Sequence, residues 1–383
     1  MLCAAEPLVP RDAEWQLITK AIREGKPKTG RDVLKGIEQA AINEQAWDEV
    51  ARAIATRVLL ENSDRPADDP QRLIDLDAAT EAAPEQTRGA IQAIQANWTW
   101  NFFQMNRWRF AQRTTQVKSD ADRNLSEISS WDLRQIVLEI HAQFEKALSD
   151  DRGLKELPVD DWAMLIEAGT MGKAYRPTLW DVVVRDAIAF HQTGERGLVE
   201  PEDAFELEAS SPALQAVNIF RKWRPAQAEA GNDLVTDKDS PILLVISLYQ
   251  QILNFHADDQ DQTAFLSADL DRLLWARGVA VADAEAEPDD AVRKALSEFI
   301  ERAEEHEICA MARFTVAEIL RPKSPVEARA IALEAVERHP QSVGAQQCHN
   351  LITEIEAKEV AVDIGFNAGR FRRLFNVVIH INI

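Results

Sequence analysis

The chain of 383 residues is poor in glycine (14), tyrosine (2), cysteine (3) and histidine (7). β-Sandwiches and barrels spend glycine on turns and tyrosine and threonine on pleated faces, so this scarcity argues against an all-β fold. The three cysteines, Cys3, Cys309 and Cys348, include no C-x-x-C pair, and the seven histidines are not paired at metal-ligand spacing. No run reaches the roughly 18 apolar residues of a spanning helix. The most apolar stretch, Pro241–Phe255, is interrupted by Ser247, Gln250, Gln251 and Asn254 and reads as a buried helix. Positive charge is also short: the net charge is −21. Such a field repels phosphate backbones and anionic membrane surfaces, which argues against nucleic acid as a partner.

What is present is an ordinary globular composition, 46% hydrophobic and 28% charged. The length suggests about two or three domains. Apolar residues recur with the helical period in segment after segment. Trp15, Ile18 and Ile22 share one face, and Gly25 with Pro27 ends that helix. Val33, Ile37, Ala40 and Ala41 form the next stripe, and Trp47, Val50, Ala51, Ile54 and Val58 a third. Asp64–Pro70 is a loop. Leu133, Val137, Ile140, Phe144 and Leu148 form a stripe, as do Leu179, Val183, Ala187 and Phe190, and Leu244, Leu248, Ile252 and Phe255. Ser240-Pro241 is a helix start, with serine as N-cap and proline at the first turn. Ala280–Asp290 is acidic and alanine-rich and reads as a flexible boundary.

Val292, Leu296, Phe299 and Ala303 open a set of compact hairpins. Ser324-Pro325-Val326-Glu327 has the spacing of a capping box. Ala328, Ala330, Ala332 and Ala335 allow close helix crossing, and His339-Pro340 ends that helix. These short helices resemble tetratricopeptide packing without a strict repeat of about 34 residues. After Glu359 the pattern changes to β-branched alternation, in Val360–Ile364 and Val377–Ile383, with a basic Gly369–Leu374 between. The expected fold is therefore all-α, with antiparallel helical hairpins of TPR-like or solenoid-like type and a short C-terminal β segment. The expected divisions are 1–5 as a signal-peptide remnant, 6–280 as a helical domain, 281–358 as TPR-like hairpins, and 359–383 as the start of a truncated β domain.

The N-terminal Met1-Leu2-Cys3-Ala4-Ala5-Glu6-Pro7 has small residues where a signal peptidase would cut, after Ala5, without the charged and apolar regions of a full signal. Two readings stay open: a remnant, implying a periplasmic, cell-surface or secreted protein, or an ordinary cytoplasmic start. Cys309 and Cys348 likewise allow a disulfide in an oxidising compartment or two buried thiols.

Chemical motifs fail on inspection. Gly169-Thr170-Met171-Gly172-Lys173 lacks the spacer and the Ser/Thr of a phosphate loop. His306-Glu307 starts a zinc-helix motif, but Ala310 stands where the second histidine belongs. Asp120, Asp122 and Asn124 begin like a calcium loop, yet Leu125 replaces the glycine and Trp131 the bidentate glutamate. Acid pairs such as Asp160-Asp161 and Asp258-Asp259 read as solvated loops. The expectation is a non-enzyme without metal or cofactor and with no identified small-molecule substrate. The sharpest local feature is Asn97–Phe110, where Trp98, Trp100, Phe102 and Trp108 interleave with Arg107 and Arg109. It fits either single-strand nucleic-acid stacking or a buried amphipathic helix with Trp98, Phe102, Met105 and Arg109 on one face. The acidity of the chain favours the second, with indole and guanidinium groups bonding loop carbonyls.

Several blocks together resemble the N-terminal region of large bacterial alpha-2-macroglobulin-like proteins. They are Asn97–Arg113, Trp131-Asp132-Leu133, Tyr175-Arg176-Pro177-Thr178-Leu179-Trp180-Asp181, Pro201–Leu207, His339-Pro340-Gln341-Ser342 and Cys348–Ile352. The resemblance spans most of the chain to about Lys358. It implies an extracytoplasmic protein whose helical region precedes β-sandwich domains that trap proteases, the segment after Glu359 being the first of them. The chain departs from that family in having no Cys-x-Glu-Gln thioester motif, no bait segment and almost no β sequence. Trapping therefore does not carry over to these residues. The leading expectation is a non-catalytic helical scaffold, the N-terminal portion of such a protein; the alternative is a free-standing TPR-like adaptor that binds a protein partner.

Overall fold

The computed structural model describes residues 10–66, 68–113, 124–149, 151–166, 172–195, 205–225, 240–303 and 305–357. The chain divides into two compact units, Met1–Phe205 with Ala226–Ile252, and Glu206–Pro225 with Leu253–Ile383. The division falls inside a helix, and residues 253–280 belong with the C-terminal hairpins. The described residues are helical, with no β-strand among them; only two isolated bridges occur, Pro158 with Thr178 and Glu208 with Val281. The signal remnant (1–5) and the β segment (359–383) lie outside the described residues. Among those described, no helix is long and apolar enough to cross a membrane.

The first unit opens with α1 (Asp12–Arg23), α2 (Pro27–Glu44) and α3 (Trp47–Glu61). Acids in the first turn of α1 and bases in its last complement the helix dipole. Gly25, at φ +65°, closes α1: Lys26 N–H donates to Ala21 (2.8 Å) and Gly25 N–H to Ile22 (3.1 Å). Gln45 closes α2 the same way at φ 59°, a strained choice for a residue with a Cβ. Trp15, Ile18, Leu34, Ile37, Ala53 and Leu60 pack as one cluster. On α2 the buried row is Gly30, Leu34, Ile37 and Ala41, which keeps Ile37 and Ala41 of the expected stripe and puts Leu34 in place of the half-buried Val33.

The next helices are α4 (Gln71–Ala82), α5 (Arg88–Ala111), α6 (Leu133–Ser149), α7 (Asp151–Glu156), α8 (Val159–Trp162) and α9 (Leu179–His191). α5 is the axle of this unit: α3, α4, α6, α7 and α9 all pack against it. Two true capping boxes, unmarked in the sequence reading, start α6 and α9. Asp132 and Gln135 bond reciprocally, as do Thr178 and Asp181. α10 (Val217–Phe220) belongs to the second unit, and α11 (Pro241–Phe255) starts as expected, with Leu243 N–H donating to Ser240 Oγ at 3.2 Å.

The second unit continues with α12 (Thr263–Val279), α13 (Pro288–Arg302), α14 (Cys309–Leu320), α15 (Pro325–Arg338) and α16 (343–357). From α12 to α15 each helix packs on the next in chain order. The core of the last three is made of small residues: Ala310, Ala317, Ala328, Ala332, Ala335 and Ala345, with Cys348, Leu351 and Ile355. Gly344 marks the closest approach, since a Cβ there would fall 2.3 Å from Met311 N and 2.5 Å from Ala310 C. The capping box expected at Ser324–Glu327 is not made. Ser324 sits at ψ 67°, outside the extended range that aims a cap hydroxyl back at the helix, and its side chain makes no cap bond. Nor is Ala280–Asp290 a loose boundary, because hydrogen bonds fasten it to residues 207–210.

Candidate functional site

The residues singled out by sequence are spread over core, surface and connector. On α5 the first two-thirds is buried on all sides, so aromatic groups point into the core around the whole circumference. Trp98, Trp100, Phe102, Phe103 and Phe110 are all buried. Trp100 stacks on Phe103 and meets Phe190 of α9 edge-on. The expected indole-to-loop bond is present: Trp98 Nε1–H donates to the Leu165 carbonyl at 2.6 Å. Asn97 donates to Asp186 (2.7 Å) and Gln95 to Asp77 (2.9 Å), tying α5 to α9 and α4. The expected face of Trp98, Phe102, Met105 and Arg109 needs correction at its end. Met105 is 45% exposed and Arg109 half-exposed, while Asn106 and Phe110 turn inward. Only the last turns of α5 leave one side in solvent, and Trp108 (63% exposed) and Arg107 lie there, Arg107 paired with Glu195.

Tyr175, Arg176 and Pro177 are half-buried in a connector clasped to residues 157–159. Val159 N–H donates to Pro177 and Leu179 N–H to Leu157, both at 2.9 Å. In this structure Cys309 and Cys348 are buried free thiols. Cys309 Sγ donates to the Ala303 carbonyl at 2.7 Å, and burial pushes the Cys348 thiol up to about 12. Both behave as small apolar residues. Asp160 pairs with Lys173 (2.7 Å) on the surface, and Asp259 accepts from His256 (2.6 Å). His306 is committed to structure: Ile308 N–H donates to its Nδ1 (3.1 Å) and its Nε2 meets Thr263 Oγ1 (3.0 Å). Burial holds this imidazole below its ordinary pKa.

A concave feature of the second unit lies elsewhere, between residues 209–219 and the face of α13. It is an open cleft of about 780 Å³. Its walls are fixed from beneath by a buried ionic cluster. Arg272 of α12, 1% exposed, donates to Asp269 Oδ1 (Nε, 2.9 Å) and to the carbonyls of Ala213 and Gln215 (both 2.8 Å). Asp269 also pairs with Arg302 of α13. One carboxylate thus offsets two guanidiniums and fastens the 213–215 wall to α12 and α13. Burial pulls the Arg272 pKa down, and Asp269 opposes that shift. The second tie is Asp283, whose carboxylate accepts from the N–H groups of Ser210 (2.7 Å), Glu285 (2.7 Å) and Ala286 (2.9 Å). These bonds favour its charged form and lower its pKa to about 2.

The resulting surface is mixed. Leu214, Ala216, Ala291 and Ala295 make a small-residue floor beside Ile219, which is 45% exposed. Glu285, Glu287, Asp290 and Glu298 give it negative charge, with Lys294 as the cation of the lining. Among the described residues no group of His, Cys, Asp or Glu side chains is placed to hold a metal ion. Sequence reasoning passed over the cleft because its acids looked like a solvated linker. The available signal was the 3–4 spacing of Glu287, Asp290, Ala291, Lys294, Ala295 and Glu298. No protein-family model matches this chain, and no curated protein and no solved structure does so either.

Proposed function

We propose that the protein is a non-catalytic helical scaffold that binds a segment of a partner protein in the cleft of its second unit. The observation that carries this reading is the cleft itself, a groove with a floor of small apolar side chains, an exposed Ile219 and a charged rim, braced by a buried ionic cluster. Grooves of this kind suit an inserted peptide segment, with apolar anchors for affinity and rim charges for register. Successive packed helices of TPR-like character commonly present such surfaces. The test is a peptide-display selection on the full chain, with Ala291→Trp as counter-screen. Peptides whose binding is lost on filling the groove support the reading; a selection in which none distinguishes the two proteins defeats it.

A second reading rests on the blocks that resemble macroglobulin-like proteins. Their aromatic residues, Trp98, Trp131 and Trp180, build the core of the first unit, as a shared helical framework would require. In that reading the chain supplies the helical portion of an extracytoplasmic protease-trapping protein. A trypsin-protection assay on this chain should then show no trapping, and inhibition by the chain alone would overturn the view that the trap lies in other domains.

A further inference from the structure

We infer that the cleft takes one kind of occupant, a basic amphipathic helix of about three turns supplied by a partner protein and laid along α13; this rests on the cleft being a protein-binding groove. Glu287, Asp290, Ala291, Lys294, Ala295 and Glu298 line it at spacings of three and four. Asp290, Ala291, Lys294, Ala295 and Glu298 therefore form one stripe of α13 with Glu287 at its N-cap, and the eleven residues from Pro288 to Glu298 at 1.5 Å each give about 16 Å of helix. Alanine stands at the middle of the stripe, in Ala291 and Ala295, where short side chains let a second helix axis come near. The opposite wall offers the exposed Ile219, backed by the buried Leu214, as the apolar contact for an anchoring side chain.

Charge selects the sign of the partner. Among the described residues, Glu285, Glu287, Glu298 and Lys294 make no ion pair, and Asp290 has only Arg293 at 3.5 Å. On α15 and α16, by contrast, Glu334, Glu354 and Glu356 each face an arginine, at 2.6–3.1 Å. The cleft is thus a concave surface of this unit on which carboxylates outnumber cations, Lys294 being the one basic residue among those that line it. A helix carrying cations opposite Glu287, Asp290 and Glu298, an acid opposite Lys294, and a leucine-sized residue toward Ile219 complements every group in the stripe. Nucleic acid is excluded by the same charge, and a lone cation by the absence of convergent ligands.

The experiment is fluorescence anisotropy on the full chain with two labelled 12-residue helical probes. One carries that pattern of arginines, a single glutamate and leucines; the other has all charges reversed. The basic probe should bind saturably. Binding should weaken at least tenfold with the double variant Glu287→Lys/Asp290→Lys, and with salt raised from about 50 to 500 mM. The control Glu81→Lys/Glu145→Lys, exposed acids of the first unit, should leave it unchanged. Lys294→Glu should weaken this probe and recover binding when the probe's glutamate is changed to lysine. Equal loss in the control would reduce the effect to attraction by an acidic protein and overturn the proposal. Equal binding of the reversed probe would overturn it while leaving the groove reading intact. Binding of neither probe, together with display peptides indifferent to Ala291→Trp, would remove both. Tenfold tighter binding to an Arg370→Ser/Arg372→Ser/Arg373→Ser variant would assign the cleft to this chain's own basic segment, and a dimer dissolved by Ala291→Trp would assign it to a second copy; either overturns the partner helix.

Discussion

The two units reach stability by opposite means. The first is built on bulk: α5 buries tryptophan and phenylalanine around its circumference, and its amide and indole groups are tied to neighbours by hydrogen bonds. The second is built on closeness: α14, α15 and α16 meet through alanines, a cysteine and a glycine that leaves no room for a methyl group. Large aromatic cores lose energy mainly when volume is removed, whereas closely crossed small-residue helices lose it when volume is added. The cleft belongs to the second kind of architecture, and small side chains there leave a groove where large ones would fill it.

This contrast can be broken in several places. The largest effect is expected at the ionic cluster beneath the cleft. Asp269→Ala leaves fully buried Arg272 without its carboxylate and should cost about 3–5 kcal/mol in chemical denaturation. Phe103→Ala in the first unit removes a fully buried ring and should cost a similar 3–5 kcal/mol or so. Gly344→Ala, a change that stabilises most helices, should here cost about 1–3 kcal/mol because the new methyl meets Met311 backbone. An unchanged or raised Tm would refute the close crossing. Trp98→Phe keeps an aromatic ring but trims the indole and orphans the Leu165 carbonyl, the lost hydrogen bond alone costing about 1–2 kcal/mol.

A pH effect separates the units further. His306 is held neutral by burial, with its folded pKa below its unfolded value. The unfolded chain therefore binds more protons between those two values, and stability falls as pH drops below about 6.5 toward the folded pKa. The groups around it are Asp261, Glu307 and His339. His306→Gln should flatten the loss of Tm between pH 7.5 and 5, and an undiminished loss would show that another group titrates. The smallest effect is favourable: Gln45→Gly relieves a left-handed backbone at the end of α2 and should stabilise by about 1 kcal/mol.

Much of the helical framework was legible from spacing, because a 3.6-residue apolar period survives wherever a helix has one wet side. α1, α6 and α13 are such cases. It misleads for α5, where Met105 continues the stripe on paper but lies on the solvent side of the last turns, while Asn106 and Phe110 face inward. Ser324 shows another limit: a capping box needs a backbone angle as well as a spacing, and neighbouring chain geometry sets that angle. The cleft was the least legible feature. Ala280–Asp290 has the composition of a solvated linker, and nothing local tells that Asp283 will clasp Ser210, more than 70 residues earlier. The Asp269/Arg272 pair inside an apolar helix was a readable sign of a buried polar tie, although its partners at Ala213 and Gln215 were not.

Amide hydrogen exchange on the full chain, with and without the basic helical probe, tests the central claim most directly. Added protection should be confined to the lining of the cleft, residues 209–219 and 283–298, and should be lost in the Ala291→Trp variant. Protection located in the first unit, or none at all under saturating probe, would contradict it.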